Sequence, residues 1–488
     1  MQLQHLIHSL SQRSSPDFTD TQINGIAFDS RKVQAGYLFV AIHGTQVDGH
    51  AYIQRAVDAG AVAVVAEQGR YTADATPVPV ILVPDSAKAL AQLADCWYGS
   101  PSQELQLVGV TGTNGKTTVT TLLHDLFTQL GYRAGLLSTV EIRIGKARRS
   151  ATHTTPDALA IQASLSEMRD ERVDYVFMEV SSHAVHQQRT HGLHFAGGVF
   201  TNLSHDHLDY HGTFAAYLAA KKSFFDQLPT GSFALINADD KRGGVMVQNT
   251  AATVHRYSLR TLVDFHARLL ANTSQGLQLD IAGTEVFFKL LGRFNAYNLL
   301  AAYGVAVLLD QDPQEALVAL SALQGAEGRM QHVTDPSGRT TALVDYAHTP
   351  DALENVLQTL RSLLPSGHQL SCVVGAGGDR DRSKRPDMAR ISAELADQTI
   401  LTSDNPRSES PEAILDEMEA GVPAHLAHKV LRITDRRQAI RTAVRLRPEV
   451  LLVAGKGHET YQEVAGVRTP FDDREELAHA LNTVARVN

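Results

Sequence analysis

Apolar positions in this chain follow two periods. Short, continuously apolar runs at Tyr37–Ile42, Ala61–Ala66, Val78–Val83, Tyr175–Val180, Gly198–Asn202 and Phe233–Asn237 predict strands buried on both faces. Longer stretches between them carry apolar residues at helical spacing, as at Tyr52–Ala59 and Ala87–Trp97. The clearest case follows the strand signal of Leu105, Leu107, Val108 and Val110: Val119, Leu122, Leu123, Leu126, Phe127 and Leu130 share one helical face, and Gly131 is placed to end the helix. Strand and helix in alternation predict α/β architecture with parallel sheets.

The pattern divides the chain into three sections. The first runs to residue 98, and the turn Tyr98-Gly99-Ser100-Pro101-Ser102 makes a linker. The second, 99–326, opens on the strand–helix pair above. In the third, 327–488, four strand candidates each end in a polar cluster: Ala342–Val344 before Asp345–His348, Leu370–Val374 before Gly375–Asp379, Gln398–Leu401 before Asp404–Arg407, and Val450–Val453 before Gly455–His458. Ligands of open α/β sheets bind beyond the carboxyl ends of the strands, so four such tips predict a site.

Composition narrows the class. The 488 residues are 43% hydrophobic and 20% charged, the balance of a globular chain with a large core. A net charge of -9 argues against nucleic acid or a membrane surface as the main partner. The two cysteines, Cys96 and Cys372, lie in apolar settings and read as core thiols in a reducing compartment. There is no apolar run of membrane-spanning length and no basic-then-apolar leader, so a cytoplasmic enzyme is expected.

The strand–helix junction at Val108–Thr118, VGVTGTNGKTT, carries the first chemistry. Glycines let backbone N–H groups close around a phosphate, the helix start adds its positive end, Lys116 brings a point charge, and Thr117 can present a hydroxyl to Mg²⁺. The usual G-x-x-x-x-G-K-[ST] spacing wants glycine at position 110, where this chain has Val110. In MEVSSHAVHQQR, Met178–Arg189, Glu179 ends an apolar strand, where a carboxylate needs a partner or a metal; Mg²⁺ coordination is one reading and capping of the helix near Ser181 the other. His205, Asp206, His207, Asp209 and His211 would alone suggest a metal site; beside a phosphate loop they read as groups that position neighbours or touch phosphate. Lys221 and Lys222 sit in a helical pattern that cannot choose between them and that favours an exposed face. Arg380, Arg382, Lys384 and Arg385 crowd a glycine turn suited to a carboxylate or phosphate, and Asp404-Asn405-Pro406-Arg407 could read a zwitterion or simply turn the chain.

These motifs resemble the Mur ligase family of ATP-dependent amide-forming enzymes. The resemblance rests on GTNGKTT at Gly112–Thr118, EVSSH at Glu179–His183, HDHLDYHG at His205–Gly212, GRFN–YN at Gly292–Asn298, DYAHTPD at Asp345–Asp351 and GKGHE at Gly455–Glu459, in order along the whole chain. It implies a small N-terminal α/β domain for the UDP end of the substrate, a central P-loop-type ATPase with a mainly parallel sheet, and a Rossmann-like C-terminal domain. The chain looks most like members that add the third residue of the stem peptide. DNPR at Asp404–Arg407 resembles the signature of those using meso-2,6-diaminopimelate.

By the same resemblance, Gly112, Thr113, Asn114, Gly115, Lys116, Thr117 and Thr118 would hold ATP, with Asn298, Arg329 and Asp345 touching the nucleotide. Thr117, Glu179 and Lys221 would serve Mg²⁺, Lys221 as the lysine the family carbamylates, and His207 would assist at the reacting centre. Ser30, Thr45, Gln46 and Val47 would contact the UDP end; His153, Thr154, Thr155, Ser181, Gln187 and Arg189 the muramoyl dipeptide. The family carries asparagine where this chain has His153. Arg380, Asp404, Asn405, Pro406, Arg407, Gly455 and Glu459 would bind diaminopimelate. The implied reaction activates the D-glutamate γ-carboxylate of UDP-N-acetylmuramoyl-L-alanyl-D-glutamate as an acyl phosphate, which the amine then displaces, in a monomer. Lysine as acceptor, a folylpolyglutamate-synthetase-like ligase and a non-catalytic nucleotide-binding regulator are the alternatives.

Overall fold

The computed structural model describes residues 1–10, 21–44, 47–72, 76–151 and 153–486. Three sheets follow one another along the chain. The first is four-stranded and wholly parallel in the order β1-β2-β3-β4, from β1 (Gly25–Ala27), β2 (Tyr37–Val40), β3 (Ala61–Glu67) and β4 (Val80–Val83). β3 is nearly all buried, matching its continuous Ala/Val run.

The second sheet has eleven strands: β5 (Gln106–Thr111), β6 (Ala134–Leu137), β7 (Glu141–Ile144), β8 (Ala147–Ser150), β9 (Tyr175–Glu179), β10 (Gly197–Phe200), β11 (Phe233–Asn237), β12 (Thr253–Ser258), β13 (Phe265–Thr273), β14 (Gly276–Ile281) and β15 (Thr284–Phe288). Their order is β15-β14-β13-β12-β11-β10-β5-β9-β6-β7-β8. The strands from β13 to β6 are parallel, with β5 central between β9 and β10. The antiparallel hairpins at both edges are an addition to the parallel sheet expected, because their half-exposed strands lack continuous apolar runs.

The helix Lys116–Gln129 packs across this sheet, and its residues Val119, Leu122, Leu123, Leu126 and Phe127 are buried against Val108, Val110 and Phe177. Gly131 lies just beyond it at φ 92°, and the amides of Gly131 and Tyr132 return to the Thr128 and Phe127 carbonyls, a Schellman ending.

The third sheet joins β16 (Gln331–Val333), β17 (Thr341–Asp345), β18 (Leu370–Val374), β19 (Gln398–Leu401), β20 (Val430–Arg432) and β21 (Val450–Ala454) in the order β16-β17-β21-β18-β19-β20. All but β16 run parallel, so the polar tips after β17, β21, β18 and β19 emerge side by side. A small hairpin, β22 (Tyr461–Val464) with β23 (Val467–Pro470), follows β21. Among the described residues no helix is long and apolar enough to cross a membrane.

Arg436 and Asp473 bind these elements as a fully buried, two-pronged pair at 2.7 and 2.6 Å. The same guanidinium donates to the Ala454 carbonyl at 2.9 Å, at the end of β21. Asp473→Ala would strand this cation in the core, and a loss of about 3–5 kcal/mol is expected as a lowered denaturant midpoint of the C-terminal unit.

Candidate functional site

The turn after β5 is built by Gly112. Its φ is 153°, and a Cβ placed there would lie 1.9 Å from Thr201 Oγ1. Gly109, one residue before the position where the usual spacing wants glycine, is an ordinary member of β5, paired with Gly198 and Met178. The loop therefore starts at Gly112, two residues later than the usual motif, and Val110 stays in the strand.

Two lysines converge on this turn. Lys116 Nζ donates to the carbonyls of Gly112 and Thr113 at 2.8 Å each, and Lys221 Nζ donates to the same Gly112 oxygen at 2.8 Å. Lys221 is 1% exposed, and its ammonium lies 5.0 Å from the Tyr217 ring centroid. Burial drives Lys221 well below the usual lysine range, and the neighbouring Lys116 adds to the shift. The exposed face read from the helical pattern is thus wrong for Lys221, and the neighbouring Lys222 is itself half-buried, paired with Asp226 at 2.7 Å.

Glu179 ends β9 fully buried, and its carboxylate accepts from Thr139 N at 2.8 Å and Thr139 Oγ1 at 3.0 Å. It does not cap the next helix: Ser181 does, accepting from Ala184 N. Ser181 N donates to Thr155 Oγ1, Arg189 Nη1 to the Thr155 carbonyl at 2.7 Å, and Arg189 to Gln187 Oε1. Thr155, Ser181, Gln187 and Arg189 are thus one hydrogen-bonded group.

The histidine-rich run is not a metal cluster. Among the described residues no group of three or more His, Cys, Asp or Glu side chains is arranged to hold a metal. His183, His207, Tyr210 and His211 stack as rings instead. Burial holds His207 neutral, with its pKa down at about 3. Burial opposes the charge of Asp206 beside it, yet His207, His348, Lys384 and Lys116 together keep that carboxyl at about 2.

A cleft of about 880 Å³ gathers the tips of the second and third sheets. It is lined by Thr113–Thr117, His153–Thr155, Glu179, Ser181, Arg189, His207 and Lys221 on one side, and by Arg329, Arg380, Asp404, Arg407, Gly455 and Glu459 on the other. Gln187, Asn405 and Pro406 are not part of this lining, nor are Gly112, Thr118, Asn298 and Asp345. Asn298 is buried under Gly115, and Asp345 accepts from Met330 N at 2.7 Å. Ser30 and Val47 belong to the first section, away from this lining, Ser30 buried and Val47 exposed. Thr45 and Gln46 lie outside the described residues.

On the C-terminal side, Asn405 Nδ2 donates to Glu459 Oε2 at 2.7 Å, and buried Lys456 donates to both residues. Gly455 has φ 116°, and a Cβ there would press to 2.6 Å from Asp404 Oδ2. Arg407 donates to the Gly378 carbonyl at 2.7 Å. The expected cluster of free guanidiniums shrinks: Arg385 is buried between Glu409 and Glu417, and Arg382 also pairs with Glu417, leaving Arg380 and Lys384 on the cleft. Tyr346, His348 and His458, which belong to the predicted tips Asp345–His348 and Gly455–His458 but were given no individual role, line the cleft between its two halves. DYAHTPD and GKGHE carry them, but nothing in the local pattern separates a ring that faces a ligand from one in a solvated loop. Buried nitrogens Arg329 Nε and His458 Nδ1 have no partner among the described residues, the state expected beside a polar ligand.

Family models cover most of the chain: "Mur ligase family, catalytic domain" over 22–98, "Mur ligase middle domain" over 110–306 and "Mur ligase, glutamate ligase domain" over 328–457. A protein of Cytophaga hutchinsonii named UDP-N-acetylmuramoyl-L-alanyl-D-glutamate–2,6-diaminopimelate ligase is 51% identical over 488 residues, covering all of both chains. The chain belongs to the Mur ligase family. A relative of the same name in Parabacteroides distasonis is 51% identical, covering 99% of each chain. A solved structure of an enzyme so named matches with a TM-score of 0.69 and 33% identity, over 98% of this chain and 99% of that one. The family's fold is accordingly the α/β, three-sheet architecture described above.

Two outcomes follow from this geometry. Gly112→Ala should weaken nucleotide binding by roughly tenfold or more, since its methyl would displace Thr201 and the turn, as measured with a fluorescent ATP analogue. Glu409 is held at about 2, chiefly by its hydrogen bond to Arg385. Its stabilisation is full above the unfolded value of about 4.5 and fades as pH falls towards 2, so the melting temperatures of wild type and Glu409→Gln should converge across that window.

Proposed function

We propose that this protein is an ATP- and Mg²⁺-dependent ligase that joins meso-2,6-diaminopimelate to the D-glutamate γ-carboxylate of UDP-N-acetylmuramoyl-L-alanyl-D-glutamate, in peptidoglycan precursor synthesis. One observation carries the reading: a single cleft joins the phosphate loop, with Lys116, Thr117 and Glu179, to the Asp404–Arg407 tip. Full-length relatives named for this reaction support it. A folylpolyglutamate-synthetase-like activity fits less well, because it leaves the parallel first sheet without a ligand. The domain limits that suit these roles are 1–98, 99–326 and 327–488.

Mg²⁺ would neutralise phosphate charge, and the oxygen donors of Thr117 and buried Glu179 suit so hard a cation. Lys221 as an ammonium would repel it. The carbamate that the family forms on this lysine adds oxygen donors, and the depressed basicity of Lys221 favours the neutral amine that carbamylation requires. Lys116 and the loop amides stabilise the transferred phosphoryl group, whose chemistry is mainly positioning and electrostatics. His207 stands beside Lys221 and Asp206 at that centre. Arg189, Thr155, Ser181 and Gln187 hold the dipeptide so that its γ-carboxylate faces the γ-phosphate; His153 and Thr154 complete that wall.

The resulting acyl phosphate is attacked by the amine. Asp404 and Glu459 suit the ammonium of the amino acid's distal centre, while Arg407 and Arg380 suit its carboxylate. Lysine lacks that carboxylate. The phosphate loop and the Asp404–Arg407 tip meet in one cleft of this chain, and a monomer is part of this reading. The thiols of buried Cys372 and half-buried Cys96 suit a reducing compartment, and a cytoplasmic location is part of this reading.

An amino-acid panel with ATP, Mg²⁺ and the UDP-linked dipeptide tests the reading. Diaminopimelate should support turnover and lysine should not, and Arg407→Ala should raise the KM for diaminopimelate by about tenfold or more. Equal turnover with lysine, or an unchanged preference in Arg407→Ala, would overturn the specificity.

A further inference from the structure

One carboxylate ties the two halves of the cleft together. The helix Pro350–Leu363 of the third section starts with Thr349 as its cap and Asp351 in its first turn, where the helix dipole favours a negative charge. Asp351 Oδ2 accepts from Asn114 Nδ2 at 2.9 Å and from Ser204 Oγ at 3.1 Å. Both partners belong to the second section, 237 and 147 residues away in sequence.

The backbone of Asn114 is already fixed. Its amide donates to Asn202 Oδ1 at 3.0 Å, and its carbonyl accepts from Thr201 Oγ1 at 2.6 Å and Asn202 Nδ2 at 3.0 Å. Ser204 is tied to the loop as well, since its amide donates to Thr113 Oγ1 and its carbonyl accepts from that hydroxyl. Asp351 therefore grips the phosphate loop and the segment that supports it at once. Neither bond forms unless the third section sits down on the loop.

We propose that Asp351 is a positioning residue that latches the amine-binding unit onto the phosphate loop and so shields the acyl phosphate from water. The inference rests on the ligase reading above. The side reaction it guards against is hydrolysis: water adds to the acyl carbon, the bond to the phosphate oxygen breaks, and phosphate leaves as the carboxylate is restored and a proton is released. With the latch closed, the amine takes the place of water, and each ATP split yields one amide bond.

The full-length enzyme tests this directly, with ADP and amide product measured side by side in ATP, Mg²⁺, dipeptide and diaminopimelate. Wild type should form the two in equal amounts. Asp351→Ala should slow amide formation by roughly tenfold, as expected for a lost charge-assisted hydrogen bond, while ADP exceeds amide by at least about twofold. Ser204→Ala, which removes one of the two donors, should show a smaller excess, and Asp351→Asn, which keeps an acceptor oxygen, should recover part of the coupling. The Kd of a fluorescent ATP analogue should move by less than about threefold in Asp351→Ala. A general loss of structure would instead lower ADP and amide in step; that result, or a nucleotide Kd weakened as much as the amide rate, would overturn the latch. If wild type itself formed no amide, the ligase reading would fall, whereas a fully coupled Asp351→Ala would remove the latch alone.

Discussion

Two ammonium groups meeting at one carbonyl oxygen set the terms for this structure. A buried ammonium is costly without acceptors, and Lys116 and Lys221 both take the Gly112 oxygen. That convergence requires the chain to turn sharply after β5, which only a residue without a Cβ allows beside Thr201. It also requires the helix Phe214–Asp226, which carries Lys221, to pack close to the phosphate loop. Burial weakens the charge of Lys221 and the neighbouring Lys116 adds to the effect, so an anionic ligand at this turn would favour the charged forms. A triphosphate, a carboxylate and a carbamate would all bring such negative charge. The electrostatics of the loop and the chemistry of an ATP-driven ligase therefore point the same way.

Parallel strands explain how so many chemical groups reach one cleft. In both large sheets the carboxyl ends of neighbouring strands deliver loops to the same edge, β5, β9 and β10 from one side and β17, β21, β18 and β19 from the other. The buried Arg436–Asp473 pair fixes the root of one such tip by holding the Ala454 carbonyl. Placement of the Asp404–Arg407 and Gly455–Glu459 tips thus depends on an ion pair outside the cleft lining, whose guanidinium donates to the carbonyls of Ser403 and Ala454. Breaking it would leave an unpaired charge in the core, whatever its net worth as a pair.

Much of this was legible in the chain before any coordinates. Continuous apolar runs mark strands buried on both faces, and their polar tips are where a parallel sheet binds ligands, so the bodies of β9, β11, β18 and β19 and the cleft residues at their ends follow from pattern. The hairpins β7–β8 and β14–β15 were not legible, since half-exposed edge strands mix polar and apolar residues without a clear period. The arginines of Gly375–Pro386 were legible as charge but not as placement. A guanidinium facing a ligand and one buried against Glu409 and Glu417 look the same in sequence, because the carboxylates that claim Arg385 lie 24 and 32 residues further on. Lys221 was legible only by resemblance: its apolar helix face became a burial site through packing against Tyr217 and the phosphate loop, contacts a local pattern does not contain.

The same limit explains why residues that join the sections are hardest to read. Arg329 donates to the Thr117 hydroxyl across 212 residues, and Asn114 to Asp351 across 237. Asn114, Thr117 and Arg329 stand out by resemblance as nucleotide residues, but the contacts that join their segments lie in neither segment alone. Chemistry that passes an activated carboxylate from one unit to an amine held by another needs such contacts. Closing the two units on each other is what excludes water from the bond formed between them. The groups that bind substrates are therefore concentrated in motifs, while the groups that bring the motifs together are scattered. A hydrogen bond between distant segments at the edge of a cleft is, on this argument, the better guide to how a multi-domain ligase keeps its intermediate.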